Sequence, residues 1–357
     1  MKRVECVPNF SEGRDPQVIE SLAQVAAAVD GVQVLHIDAG ADAHRMVMTL
    51  VGELEAVGEA AFRAISLAGQ LIDMTRHRGV HPRLGATDVC PFVPLAGAAM
   101  TDCVALARRV GARVGAELGI PVYLYGEAAS VPERRSLVEL RRGEYEGLGE
   151  RMAQSRFRPD FGPAHFNPRS GATAIGARDL LIAFNVSLNT TDRAVAQEIA
   201  QDIREQRKGS GGLKGCRALG WLMASYGSAQ VSMNLVDFRM TPPHVALEEV
   251  RRQARRRGFE VTGSELIGMI PLEAMLAAGR YYLGQEHRSQ DIPDEELVAV
   301  AVASLGLSSV RPFDPGEQIL EYRLQQAGPP WDQWAAGLLT RPVPEDLLGS
   351  GESVGKL

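Results

Sequence analysis

Disulfide chemistry is what this sequence most plainly lacks. Its 357 residues include only four cysteines, Cys6, Cys90, Cys103 and Cys216, with no C-x-x-C pair among them. That scatter suggests neither a disulfide framework nor a zinc site, and the four read as reduced thiols. No apolar run approaches the roughly 20 residues needed to cross a bilayer, so no membrane association is expected. The N-terminus starts on a strand-like apolar stretch instead of a signal peptide, and a cytoplasmic protein is therefore expected. An excess of positive charge is absent too: the formal net charge is −6, which opposes bulk attraction to nucleic acid. No aromatic strand of the RNA-reading type is present, so an RNA-binding module is disfavoured. What remains, 45% apolar and 23% charged residues, is a globular composition long enough for two domains with buried cores.

The most informative segment runs from His81 through Pro82-Arg83-Leu84-Gly85-Ala86-Thr87-Asp88 to Phe92. Arg76-His77-Arg78-Gly79 closes a long apolar-periodic helix ahead of it, and Pro82 biases His81 toward extended backbone. His81 therefore belongs to a loop at the mouth of a strand, where an imidazole can take and return a proton near neutral pH. By itself, however, a loop histidine reads first as a plain surface residue. His77 and His81 are four apart, as helical metal ligands would be, but Gly79 and Pro82 break such a helix and no metal is assigned. Asp38 closes a strand before Ala39-Gly40-Ala41-Asp42 and reads equally well as a turn initiator or a carboxylate aimed at a site. Arg207 to Lys214 is glycine-rich but lacks phosphate-loop spacing and follows a helix. The bunched Arg251, Arg252, Arg255, Arg256 and Arg257 read as a solvated helix face, with attraction of an anionic ligand tail as the alternative.

Periodicity predicts a strand at about Arg3 to Val7, a helix from Pro16 to about Val29, strands at Val32 to Asp38 and Arg45 to Val51, a helix from Leu54 to about Met74, and a strand from Asp88 to Leu95. A further helix, Thr101 to about Leu118, and a strand, Pro121 to Tyr125, extend this half. The order recurs with a strand at Leu181 to Leu188, a helix at Thr191 to Arg204, strands near Arg217 to Ala224 and Ala229 to Phe238, a helix at about His244 to Arg257, and an extended piece at Phe259 to Thr262. The fold class expected is α+β, with two tandem ferredoxin-like βαββαβ subdomains at 1–180 and 181–324. Residues 325–357, rich in Gly and Pro with Trp331 and Trp334 as large anchors, read as a tail.

Long blocks in a fixed order then resemble one family over nearly the whole chain. They include Glu5 to Gly13, Leu71 to Met74, the His81 segment, Pro121 to Ala128, Pro159 to Pro163, Gly171 to Thr173, Leu181 to Asn185, Gln230 to Asn234, Gly263 to Leu266 and Pro271-Leu272. The family is glutamate formimidoyltransferase, whose vertebrate form is the front part of formiminotransferase-cyclodeaminase; this chain is expected to stop before the deaminase begins. The resemblance implies transfer of the formimidoyl group from N-formimidoyl-L-glutamate to N5 of tetrahydrofolate, which is a co-substrate, and a homodimer with the ligand site between the subdomains. It implies His81 and Asp38 as catalytic residues, Asp38 orienting His81 or the cationic amidine. It also implies folate contact by Gly162, Pro163, Ala164, His165, Phe166, Asn167, Pro168, Arg169, Ser170 and Gly171, with Phe166 facing a pterin or benzoyl ring; composition alone makes this run an interdomain linker. The chain departs from the family's usual pattern at His36, where Asp is expected, and at His44, where Asn is expected. Formyl transfer between glutamate and tetrahydrofolate is the alternative reaction, and a noncatalytic folate-binding protein is the alternative of another class.

Overall fold

The computed structural model describes residues 2–205, 211–285, 292–328 and 332. Arg207 to Ser210 of the glycine-rich stretch, Trp331, Trp334 and nearly all of the expected tail lie outside the described residues. The first unit runs β1 (Arg3–Cys6), β2 (Asn9–Phe10), α1 (Pro16–Ala27), β3 (Val32–Gly40), β4 (Arg45–Glu53), α2 (Leu54–Leu71), β5 (Thr87–Pro94), α3 (Met100–Glu117), β6 (Val122–Gly126), α4 (Leu137–Leu140), α5 (Leu148–Met152) and β7 (Thr173–Ala177). The second runs β8 (Ile182–Leu188), α6 (Arg193–Ile203), β9 (Cys216–Met223), β10 (Ser228–Leu235), α7 (Pro243–Arg256), β11 (Val261–Ile267), α8 (Leu272–Gln285), α9 (Asp294–Leu305), α10 (Pro315–Gln318) and α11 (Leu320–Gln326).

Both units are ferredoxin-like. β1 and β2 are two pieces of one strand, each pairing antiparallel with β4 on one side and β5 on the other. With β3 beyond β4, the first unit orders its four strands fourth, first, third, second. The second unit repeats that order as β11-β8-β10-β9. Local chemistry starts the helices: the Asp15 carboxylate accepts from Gln17 N ahead of Pro16, and Asp192 accepts from Ala194 N. The apolar stripe read in α2 is buried at Val57, Ala61, Ala64, Ile65 and Ala68, whereas Leu71 at its end is exposed.

Three departures from the expected elements have physical reasons. β7, not expected as a strand, slots between β5 and β6 and runs parallel to both; its run Thr173-Ala174-Ile175-Gly176-Ala177 is too short and too small-sided to stand out. The extended piece expected to end at Thr262 continues as a strand to Ile267, because buried Glu265 is hydrogen-bonded to neighbouring strands and so does not break it. α8 to α11 follow, and α11 docks Leu320 and Leu324 against Leu35, Val51 and Leu95 of the first unit.

Strand alternation explains where the site lies. On β4, Met46, Met48 and Leu50 enter the first core while Arg45, Val47 and Thr49 face a cavity; on β8 and β10, Phe184, Val186, Val231 and Met233 enter the second core while Asn185, Ser232 and Asn234 face the same cavity. Helices thus cover one face of each sheet, and the two remaining faces look at each other.

Candidate active site in the cleft between the sheets

The cavity between the units has a volume of about 520 Å³ and takes wall residues from both sheets. His81 lies on its wall, half-buried, in the irregular stretch between α2 and β5. That stretch is pinned on both sides. Buried Arg83 donates from Nε to His77 Nδ1 at 3.2 Å and through Nη1 and Nη2 to Glu146 at 2.7 Å each. Leu84 N donates to Asp88 Oδ1 at 2.9 Å. Gly85 and Gly171 form an antiparallel bridge, and a Cβ on Gly85 would sit 2.3 Å from Ser170 O, so only glycine fits this approach.

The imidazole is set up as a base. His81 Nδ1 stands 2.7 Å from Pro82 O, and because a carbonyl only accepts, Nδ1 carries the hydrogen and Nε2 is left to take a proton. Burial, with the guanidinium groups of Arg45 and Arg141 nearby, holds the His81 pKa well below the usual imidazole range; Asp88 and the Pro82 carbonyl oppose this only in part. His81 is therefore neutral at physiological pH. Behind it, Asp88 is fully buried, accepting from Arg45 Nη1 at 2.5 Å and from Arg141. Burial acts to raise its pKa, but those two cations outweigh it and hold the carboxyl well below the ordinary range. Arg45 reaches on to Asn9 Oδ1 through Nε at 3.1 Å and Nη2 at 2.7 Å. Elsewhere on the wall, burial raises the pKa of Glu5 to about 7 although Arg178 opposes the shift.

Asp38 lines the cavity but does not orient His81. Its carboxylate accepts Arg311 Nη1 at 2.8 Å and Nη2 at 2.5 Å, plus Gly268 N at 2.9 Å, all from the second unit. Of the two expectations for Asp38, direct orientation of His81 is corrected, because the cation that takes up the carboxylate is supplied by a segment far away in sequence; contact with a cationic amidine stays a proposal. His36, on the same strand, has its pKa lowered chiefly by burial. His44 adopts φ 48°, a left-handed conformation Asn accepts more readily than His, and its ring stacks on His77 at 4.2 Å while Nε2 meets Glu12 Oε1 at 3.2 Å.

None of Gly162, Pro163, Ala164, His165, Phe166, Asn167, Pro168, Arg169, Ser170 and Gly171 is on the wall of this cavity. They form a ledge behind the His81 segment. Gly162 turns against Ile120 O, Phe166 packs on Tyr145 at 5.3 Å, Asn167 Oδ1 accepts from Arg169 N and Ser170 N, and Ser170 O accepts from Ala86 N at 2.9 Å. The Arg251–Arg257 cluster is solvated and paired, with Arg251, Arg252 and Arg257 meeting Glu248, Glu249 and Asp202. Among the described residues no group of three or more His, Cys, Asp or Glu is arranged to hold a metal ion. Nor is any described helix long and apolar enough to cross a membrane.

The fold and the site together define a chain of two ferredoxin-like units with a neutral imidazole and two guanidinium groups in the cleft between them. The chain belongs to the formiminotransferase family: residues 3–178 match the model of the formiminotransferase domain, N-terminal subdomain, and residues 183–325 that of the formiminotransferase domain. It is 46% identical over 329 residues to the formimidoyltransferase-cyclodeaminase of Rattus norvegicus, covering 91% of this chain and 60% of that one. With the glutamate formimidoyltransferase of Streptococcus pyogenes serotype M1 it shares 43% over 285 residues, 80% of this chain and 94% of the other. With that of Thermoplasma acidophilum it shares 44% over 285 residues, 79% and 93%. The chain thus spans about 60% of the length of the formimidoyltransferase-cyclodeaminases.

Asp88, Trp221, Gln230, Glu265 and Arg311 were given no role by sequence reasoning. The available signal was Glu265, an acid on a cavity-facing position of an otherwise apolar strand, whereas Arg311 lies outside the strands.

Proposed function

We propose that this chain transfers the formimidoyl group from N-formimidoyl-L-glutamate to N5 of tetrahydrofolate, leaving L-glutamate and 5-formimidoyltetrahydrofolate. Membership of the formiminotransferase family supports the substrates, and the similar glutamate formimidoyltransferases carry the activity in their names. The observation that carries the chemistry is His81 on the cleft wall, neutral and with no hydrogen-bond partner on Nε2 among the described residues. When N5 adds to the amidine carbon, a proton must leave N5; when the C–N bond to glutamate breaks, the departing nitrogen must gain one. One imidazole serves both steps, accepting at Nε2 and returning the same proton. The cleft brings the two substrates together and limits water around them. Arg178, on the same wall, forms no ion pair among the described residues and is suited to a substrate carboxylate. In this reading residues 162–171 meet a part of the elongated folate that extends past the His81 segment, to which Gly171 is bridged.

Purified protein offered formimidoylglutamate or formylglutamate with tetrahydrofolate tests the assignment. Faster product formation from the formimidoyl donor is expected. Turnover with the formyl donor alone would move the function to formyl transfer, and folate binding with neither reaction would make it a noncatalytic binder.

A further inference from the structure

His81 comes from the first unit, but the ring beside it comes from the second. Trp221 on β9 is buried, and its indole lies tilted by 53° against the imidazole with 5.8 Å between centroids. The indole is aimed from behind. Its Nε1 donates to Oε1 of Gln230, the residue directly across on β10, at 3.0 Å. Gln230 is fully buried, and its Nε2 donates to Ser187 Oγ and Glu265 Oε1, each at 3.0 Å. Since an indole N–H only donates, the orientation of that amide is fixed. Glu265 Oε2 accepts from Tyr226 Oη at 3.3 Å and stands 3.5 Å from Arg311 Nε. Arg311 is the residue that grips Asp38.

A polar relay therefore runs from Asp38 in the first unit, through Arg311, Glu265 and Gln230 in the second, to the ring against His81. Apolar neighbours would suffice to bury an indole; a buried polar network whose members are satisfied specifies one orientation of it. We propose that Trp221 is the positioning residue of His81, held by Gln230 and Glu265, so that the imidazole is poised when Asp38 and Arg311 latch the units together. This rests on the reading of His81 as the proton-transfer group. Asp38 then acts on the imidazole indirectly, across the cleft and back.

The charged groups facing His81 are Arg45, Asp88 and Arg141 from the first unit, and Trp221 supplies an apolar wall from the second. Removing that wall admits water, relieves the desolvation that favours the neutral ring, and raises the pKa. The test is an NMR titration of ring-labelled histidine, with the His81 resonance assigned from its loss in His81→Asn, alongside kcat and KM as a function of pH. In Trp221→Leu the His81 midpoint is expected to rise by about one unit. kcat should fall roughly ten- to a hundredfold with KM little changed, and the acidic limb of the kcat/KM profile should move to higher pH. Trp221→Phe, which keeps a ring but loses the Gln230 tether, should shift the same way by less, and it provides the readout if the leucine variant does not fold. A His81 midpoint unchanged in the folded variants overturns the proposal. If His81→Asn retains turnover, the proton-transfer reading fails instead, and the two failures are distinguishable because the titration does not depend on turnover.

Discussion

Asp88 is fully buried between the guanidinium groups of Arg45 and Arg141, which lie 43 and 53 positions away in sequence. Removing its charge while keeping its shape leaves two cations in a site with little water. Asp88→Asn is therefore expected to lower stability by about 3–5 kcal/mol in chemical denaturation, the range for breaking a buried ion pair from one side. A loss below about 1 kcal/mol, the range of exposed pairs, would show that water reaches the cluster. His81 was legible in the sequence because Pro82 and Gly79 exclude it from regular structure and the adjoining blocks carry a family pattern. Asp88 was not, since a charged residue next to an apolar strand reads as a solvated strand start until its partners are seen. Asp38 was legible as a site-facing carboxylate but not as Arg311's partner, because no local periodicity connects positions 273 apart.

At the scale of elements, α11 carries Glu321 into the interior, where it accepts from Leu272 N at 2.7 Å. Burial raises its pKa from the ordinary 4.5 to about 7. The folded chain therefore keeps a proton that the unfolded chain releases, so the stability this group contributes is complete below about pH 4.5 and is lost as pH rises through about 7. Glu321→Gln, which keeps an acceptor for Leu272 N, should raise the melting temperature relative to the parent at pH 8 and change it little at pH 5. Equal differences at the two pH values would show that ionisation of Glu321 is not what limits stability. The α8–α11 segment was the least legible part of the fold, since these helices cover a core already formed by strands and carry weak amphipathic contrast. The strands of both βαββαβ units were legible from alternation, except for most of β11, but their order in the sheet depends on pairing between distant segments.

In the whole molecule, two similar units meet through their uncovered sheet faces. Asp38, Arg311 and Gly268 link them, and Leu320 and Leu324 pack across the boundary. The recurring order of elements made the doubling legible, and the family likeness made a shared ligand site an expectation; which residues would face one another across the cleft depended on tertiary pairing that a single sequence does not show. In the proposed reaction His81 moves the proton during group transfer in this cleft. Turnover of formimidoylglutamate with tetrahydrofolate by the parent and by His81→Asn, with folate binding followed in parallel by thermal shift, tests it most directly. A kcat lower by roughly a hundred- to ten-thousandfold is expected in the variant, with the folate-induced shift preserved. A variant with near-parental kcat, under conditions where chemistry limits the rate, would contradict it.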